Sequence, residues 1–160
     1  MRHIKILITI SLLLQCFGSQ LIAQLTVSEF LADNKRSITD EDGDHSDWIE
    51  ISNTTNAEIN LEGWHLSDNA SNLTKWTFPS IKIAANNQLI IFASGKAKTT
   101  PNSELHTNFL LDSDGEFLAL TKPDGTTIAK SYNYPKQKED ISYGNSTRIF
   151  DDPVISSSSP

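Results

Sequence analysis

Hydrophobic and polar residues alternate along much of this chain, or the hydrophobic residues form short blocks bounded by turn residues. Alternation with a period of two gives a β-strand one apolar face, whereas an amphipathic helix needs apolar residues at i, i+3, i+4 and i+7. No helical pattern of useful length occurs. The sequence therefore predicts an all-β domain, with strands over residues 25–31, 48–53, 63–67, 75–78, 88–93, 116–122 and 127–132.

Turn residues separate these strands. The segments DSDG at 112–115 and PDG at 123–125 each end in a glycine, which supplies a positive φ, after an aspartate that can bond the nearby backbone. About seven short strands separated in this way are typical of a β-sandwich.

Three tryptophans, Trp48, Trp64 and Trp76, lie inside the predicted strands. In a sandwich such side chains fill the space between the sheets, and each indole N–H needs a carbonyl partner once it is buried. The alternative is an exposed aromatic platform that stacks on sugar rings. We predict core packing, and Trp76, which opens the shorter segment WTFP, is the best placed of the three for a platform.

The first 23 residues have the layout of a secretory signal peptide. Two basic residues and a histidine precede an apolar run over residues 6–17, and small and polar residues follow it. The run is shorter than the roughly 20 residues that span a bilayer, so we predict no membrane span after cleavage. We place the cut between Ala23 and Gln24, and the protein outside the cytoplasm, secreted or at the cell surface.

A lipoprotein signal is the alternative form of export. Cys16 follows the apolar segment LLLQ, and such a cysteine is lipidated in bacterial lipoproteins. Gln15 stands where that signal requires a small residue. Leu21 is in turn larger than the residue preferred three positions before a cut at Ala23. The sequence leaves both forms open, and cleavage before Gln24 is our prediction.

Charge and cysteine content narrow the partners of the exported chain. Without residues 1–23 the chain has 11 Lys and Arg against 20 Asp and Glu, a formal net charge of −9, and no cysteine. We expect no binding to nucleic acid, because affinity for phosphates depends on clustered Lys and Arg, and the basic residues here are scattered. Since no disulfide can form, stability must come from an apolar core, from bound metal, or from both.

The last ten residues, DDPVISSSSP at 151–160, are polar and rich in serine, which is typical of a linker. The sequence therefore predicts three parts. They are a signal peptide over residues 1–23, a folded domain over 24–150, and a Ser-rich tail or linker over 151–160.

The segment DEDGDHSDWIE, residues 40–50, carries acidic side chains at six of its eleven positions. Asp40, Asp42 and Asp44 alternate, so a looped backbone can gather their carboxylates around one hard cation, and Asp47 can help complete the oxygen shell. Calcium is the cofactor that such ligands favour, although the position of Gly43 does not match an EF-hand loop. The alternative is a solvated turn formed at Gly43, with Asp47 bonded to the backbone before the strand.

Signals for catalysis are weak. General acid–base catalysis by two carboxylates needs two different pKa values and a cleft that both groups face. A run of exposed acids indicates neither. His45, His65 and His106 lie among Ser and Asp residues, but neither GxSxG nor HExxH occurs. A small calcium-dependent secreted hydrolase is therefore only the alternative function, and it depends on the density of acids alone.

Nine short blocks occur in order over about residues 25–145. They are VSEFLADN at 27–34, DEDGDHSDWIEISN at 40–53, NLEGWHLSD at 60–68, WTFP at 76–79, LIIFASGK at 89–96, HTNF at 106–109, GEFLAL at 115–120, PDG at 123–125 and SYG at 142–144. Each block alone is a weak signal, but together they resemble the lamin tail domain in the form found in exported bacterial proteins.

This resemblance implies an immunoglobulin-like β-sandwich of about seven to nine strands. It also implies a non-catalytic role, because similar domains in exported bacterial proteins accompany surface proteins or hydrolases. A cell-surface polymer or a neighbouring protein domain is then the expected partner. The nuclear role of lamins does not transfer to an exported acidic chain, and a shared fold alone assigns no ligand.

Overall fold

The computed structural model describes residues 25–101 and 103–144. These residues form strands and turns but no helix, so they include no helix that is long and apolar enough to cross a membrane. The predicted signal peptide, 1–23, and the predicted tail, 151–160, lie outside the described residues. Both therefore stay predictions.

Eleven strands occur in the described residues. In chain order they are β1 (Leu25–Leu31), β2 (Asp47–Asn53), β3 (Ile59–Asn60), β4 (His65–Ser67), β5 (Trp76–Thr77), β6 (Lys82–Ile83), β7 (Gln88–Ala93), β8 (Leu105–His106), β9 (Phe117–Thr121), β10 (Ile128–Asn133) and β11 (Tyr143–Gly144). One sheet has the order β11-β1-β2-β7-β8, a second has the order β10-β9-β4-β5, and β3 pairs with β6. Only β7 and β8 pair in parallel; the other pairs are antiparallel.

The apolar core lies between the two larger sheets. In the first sheet, Ile49 of β2 lies opposite Phe30 of β1 and Ile91 of β7, and all three are fully buried. They share one side because alternate residues of a strand face the same way. The second sheet contributes Leu66 of β4 and Leu120 of β9 to the same cluster. This arrangement confirms the predicted all-β sandwich.

All seven predicted strands occur, with bounds that differ from the prediction by at most two residues. The other four strands, β3, β6, β8 and β11, have two residues each. A two-residue strand shows no alternation in the sequence, and its pairing depends on residues far away in the chain. Eleven strands are therefore found where about seven to nine were expected.

The tryptophans reverse the predicted order of burial. Trp76 is buried, with 4% of its surface exposed, whereas Trp48 and Trp64 are half-buried. Because Trp48 alternates with the buried Ile49 in β2, it lies on the outer face of the first sheet, and the prediction of core packing is wrong for it. Trp64 packs against the core from its margin. Within the described residues, the buried indole nitrogens of Trp48 and Trp76 have no hydrogen-bond partner, contrary to the expectation of carbonyl partners.

A row of large side chains crosses the outer face of the first sheet. The row consists of neighbouring residues on paired strands: Leu31 of β1, Trp48 of β2, Phe92 of β7 and His106 of β8. Leu31, Phe92 and His106 are buried even though they face away from the core. The loop over residues 32–46 reaches the segment beside this row. The Glu41 backbone N–H donates to the side chain of Glu104, which lies two residues before His106.

Candidate functional site

Asp40 organises the loop between β1 and β2. Its carbonyl accepts the N–H of Gly43, whose φ of 84° is in the region that favours glycine. Its Oδ1 accepts the backbone N–H groups of Asp42 and Asp44, both at 3.0 Å, and its Oδ2 accepts the Ser46 hydroxyl at 2.8 Å. The Asp40 side chain has no exposed surface. The loop therefore folds around one buried carboxylate, and the sequence motif DxDxD becomes a compact turn.

The ammonium group of Lys96 lies at the centre of the acidic turn. Lys96 Nζ is 2.7 Å from an oxygen of Asp40, 2.7 Å from Asp42 and 2.8 Å from Asp44. Lys98 joins from the same segment, which follows β7, with Nζ 2.9 Å from Asp42. We call these three aspartates and Lys96 the lysine-centred cluster. Lys96 offsets one of the three formal negative charges of these aspartates, and Lys98 offsets part of the rest through Asp42.

The pKa values follow from these contacts. Burial alone raises the pKa of Asp40, but hydrogen bonds from Lys96, Ser46 and the loop backbone outweigh burial and hold it well below its usual range. Burial lowers the pKa of Lys96, and the three carboxylates reverse that effect and hold it above its usual value. Hydrogen bonds from Lys96 and Lys98 lower the pKa of Asp42. Asp40, Asp42 and Lys96 are therefore ionised at neutral pH.

Three of the four predicted metal ligands come together in this cluster. Among the described residues, Asp40, Asp42 and Asp44 are the group whose carboxylate oxygens all lie within 4.8 Å of one another. Hard oxygen ligands of this kind suit calcium. A calcium ion would have to displace the Lys96 ammonium group, so binding of calcium stays a prediction that depends on this competition.

The fourth predicted ligand, Asp47, lies apart from the cluster. It is the first residue of β2, and its Oδ1 accepts the backbone N–H of Asn34 at 3.0 Å. Burial raises the pKa of Asp47 to about 6; the Asn34 N–H opposes this rise, and the charge of Asp33 adds to it. Asp47 is thus a half-buried carboxylate that the protein solvates poorly.

Asp47 faces a cleft of about 370 Å³ that the sequence did not predict. The cleft is lined by Ala32, Asp33, Lys35, Asp47, Leu110, Leu111, Asp112 and Ser113. These residues come from the end of β1, the start of β2 and the segment after β8. No local pattern joins such distant stretches of the chain, since the fold alone brings them together. We call it the Asp47 cleft.

One serine, histidine and glutamate set has a superficial likeness to a hydrolase triad. His106 Nδ1 is 2.8 Å from Ser94 Oγ, and His106 Nε2 is 3.9 Å from Glu104 Oε2, too far for a hydrogen bond. The imidazole has no exposed surface and stacks on Phe92 at 5.4 Å between ring centroids. Burial lowers the pKa of His106, with help from the charges of Lys98 and Lys96. A substrate cannot reach this ring, so it packs the outer row of the sheet and is not placed to act as a base.

The other two histidines considered in the sequence are not placed for catalysis either. His65 Nδ1 lies 2.9 Å from the hydroxyl of Thr77 on the neighbouring strand, and burial lowers its pKa. His45 is exposed in the loop before β2. Neither ring lines the Asp47 cleft.

Comparison with models of known protein families gives a match. The family model described as the lamin tail domain matches residues 19–136, which is most of the chain and nearly all of the sandwich. No curated protein matches. The match confirms the resemblance to the lamin tail domain and covers eight of the nine sequence blocks, all but SYG at 142–144, while the exported bacterial form stays a prediction. The family's immunoglobulin-like fold agrees with the sandwich described above. This chain belongs to the lamin tail domain family.

Proposed function

We propose that the protein is an exported, non-catalytic binding module that contacts a cell-surface polymer or a neighbouring protein domain. The observation that carries this proposal is the family match over residues 19–136. Such immunoglobulin-like domains typically present a surface and contain no catalytic apparatus. The position of most buried apolar residues in strands supports the same view, because between strands the described part of the chain has no segment longer than the loop over residues 32–46, which leaves little room for a deep active site.

The alternative function is a small calcium-dependent secreted hydrolase. One observation favours it: Asp47 combines a pKa of about 6 with a position on a cleft that also contains Asp33 and Asp112. Against it, the acids that could bind calcium, Asp40, Asp42 and Asp44, are paired with Lys96, away from this cleft. Charge compensation by lysine gives those acids a structural role.

Parallel binding and turnover assays test the proposal. The purified protein is screened against cell-wall glycans, surface polysaccharides, candidate neighbouring domains and nucleic acid, and also in esterase, glycosidase, protease and nuclease assays. We expect binding to a polymer or protein, no binding to nucleic acid and no turnover. Turnover that Asp44→Ala or Asp47→Asn abolishes, with the fold intact by circular dichroism, would establish the hydrolase instead.

Export is the second part of the proposal. The signal layout of residues 1–23 supports release of a chain that begins at Gln24. N-terminal sequencing and intact mass of the material outside the cell measure the start of the mature protein. Recovery of the uncut chain, or of a lipid on Cys16, would contradict cleavage before Gln24.

A further inference from the structure

The carboxylates of the Asp47 cleft are only partly compensated. Lys35 is the one cation of the lining, and its Nζ lies 3.2 Å from Asp33 while 61% of its side chain is exposed. Among the described residues, neither Asp47 nor Asp112 has a Lys, Arg or His nitrogen within 4.0 Å. In the lysine-centred cluster, by contrast, each of the three carboxylates contacts the Lys96 ammonium group. The cleft therefore offers negative charge to a cation from outside.

The same cleft carries an exposed apolar side chain. Leu110 is 64% exposed, more than any other large hydrophobic residue in the described part of the chain. Leu111 and Ala32, which also line the cleft, are almost fully buried. Covering an exposed leucine is favourable at about 25 cal/mol for each Å² removed from water. A ligand that pairs with the acids of this cleft can thus also gain by covering Leu110.

Hydrogen bonds hold the segment over residues 110–113, which forms the side of the cleft at Leu110, in place. Ser94 and Leu110 form a β-bridge, and the Asp112 backbone N–H donates to Glu116 at 2.8 Å. The Ser113 carbonyl accepts the Gln137 N–H at 2.7 Å. A surface that is already ordered loses little conformational entropy when a partner binds.

The distribution of charge excludes several classes of ligand. The carboxylates of Asp33, Asp47 and Asp112 do not converge as those of the lysine-centred cluster do, so they do not favour a single metal ion. Nucleic acid and anionic polymers are repelled by the same charges. The cleft volume of about 370 Å³ is at the low end for a small-molecule site and admits one long side chain.

We propose that the Asp47 cleft binds a protein segment in which a lysine or arginine side chain, placed between Asp47 and Asp112, lies next to an apolar side chain that covers Leu110. The charge complementarity of the cleft selects this partner over a polysaccharide. The inference rests on the proposed function as a binding module, and it narrows the partner to a basic, partly apolar stretch of protein.

The test uses the full chain and a labelled, capped peptide that alternates leucine with lysine, with a matched peptide that has glutamate in place of lysine. Fluorescence anisotropy gives the affinities at low and at physiological salt. We expect the lysine peptide to bind and the glutamate peptide not to bind, with weaker binding at higher salt. Asp47→Asn and Leu110→Ser are each expected to weaken binding by about fivefold or more, the equivalent of about 1 kcal/mol. Glu62→Gln, an exposed acid outside the cleft, is the control and leaves the affinity unchanged.

The outcomes separate this inference from the proposed function. Absence of binding to the lysine peptide, equal binding of both peptides, or unchanged affinity in both Asp47→Asn and Leu110→Ser overturns the cleft inference. If the broad screen then finds a ligand whose binding neither substitution affects, the protein is still a binding module and only the site is wrong. Leu110→Ser alters a side chain at the surface, so it remains informative if Asp47→Asn disturbs the fold.

Discussion

Replacing Asp47 by asparagine should stabilise the protein at neutral pH. Asparagine keeps a carbonyl oxygen that can accept the Asn34 N–H, and it removes a charge that the fold solvates poorly. Burial, together with the neighbouring charges of Asp33 and Glu116, raises the pKa of Asp47, and the Asn34 N–H and the charge of Lys35 only partly oppose it. The ionised aspartate is thus less favourable in the native state than in the unfolded chain.

The magnitude follows from the two pKa values. The pKa of Asp47 is about 6 in the native state and 3.8 in the unfolded chain. This difference destabilises the native state with ionised Asp47 by about 3 kcal/mol, since a tenfold change in proton affinity is worth about 1.4 kcal/mol. Solvent that reaches Asp47 through the cleft screens the charge and reduces this to about 1–2 kcal/mol. Because the native pKa is raised, wild-type Asp47 carries no penalty below about pH 4, where it is protonated in both states. The native state loses stability as the pH rises through 6, and the gain from Asp47→Asn appears over the same range.

Chemical and thermal unfolding from pH 4 to pH 8 measure this effect. At pH 7 we expect Asp47→Asn to raise the free energy of unfolding by about 1–2 kcal/mol, or the melting temperature by about 4–8 °C. The gain should disappear near pH 4, where wild-type Asp47 is protonated. Asp114→Asn is the matched control, because Lys136 lowers the pKa of that exposed acid and its removal brings no gain. If Asp47→Asn raises the free energy of unfolding equally at pH 4 and pH 7, or lowers it at pH 7, the reasoning is refuted.

Three further experiments concern the loop cluster and a turn. Lys96→Met leaves the buried Asp40 carboxylate without its cation and should cost about 2–4 kcal/mol in urea unfolding. Lys98→Met, whose partners are exposed, should cost clearly less, and equal costs for the two variants would contradict the central place of Lys96. Millimolar calcium should raise the melting temperature of Lys96→Met more than that of the wild type, because the ion no longer competes with the ammonium group. Identical melting curves in calcium and in chelator for both proteins would end the calcium prediction. Gly115→Ala should destabilise by about 3 kcal/mol, because its φ is 107° and the new Cβ would lie 2.6 Å from a backbone carbonyl. Gly43→Ala meets nothing within 4 Å and should cost only about 1–2 kcal/mol for its φ, so similar melting of the two alanine variants would refute the steric argument.

The long strands could be predicted because their sequences contain the physical signal. β1 and β7 were predicted with their observed bounds, since β1 alternates over its first four residues between buried and half-buried positions and β7 is a short apolar block that follows Gln88. The strands β3, β6, β8 and β11 are defined by partners such as Ile83 for Ile59, which lie well away in the chain. The burial of Trp76 and the outward position of the half-buried Trp48 also depend on which face meets the second sheet, and composition does not contain that information.

The candidate site was predictable in part for the same reason. The alternation of Asp40, Asp42 and Asp44 around a glycine is local, so their convergence could be expected from the sequence. Lys96 could not be assigned to them, because the pairing of β2 with β7 brings the segment after β7 to the loop before β2. Asp47 does not join the other three aspartates because it is the first residue of β2. The direction of that strand orients its side chain, whereas the charge of the loop does not.

A lysine at the centre of an acidic turn holds that turn together without a metal ion. A bound metal ion would leave when its concentration in solution falls, and the loop would then change with the supply of metal. The ammonium group of Lys96 is covalently attached to the chain and is present in every copy at the same local concentration. If the calcium prediction holds, one substitution at Lys96 exchanges this permanent cation for a metal ion, and it converts a constant loop into one that responds to the metal content of its surroundings.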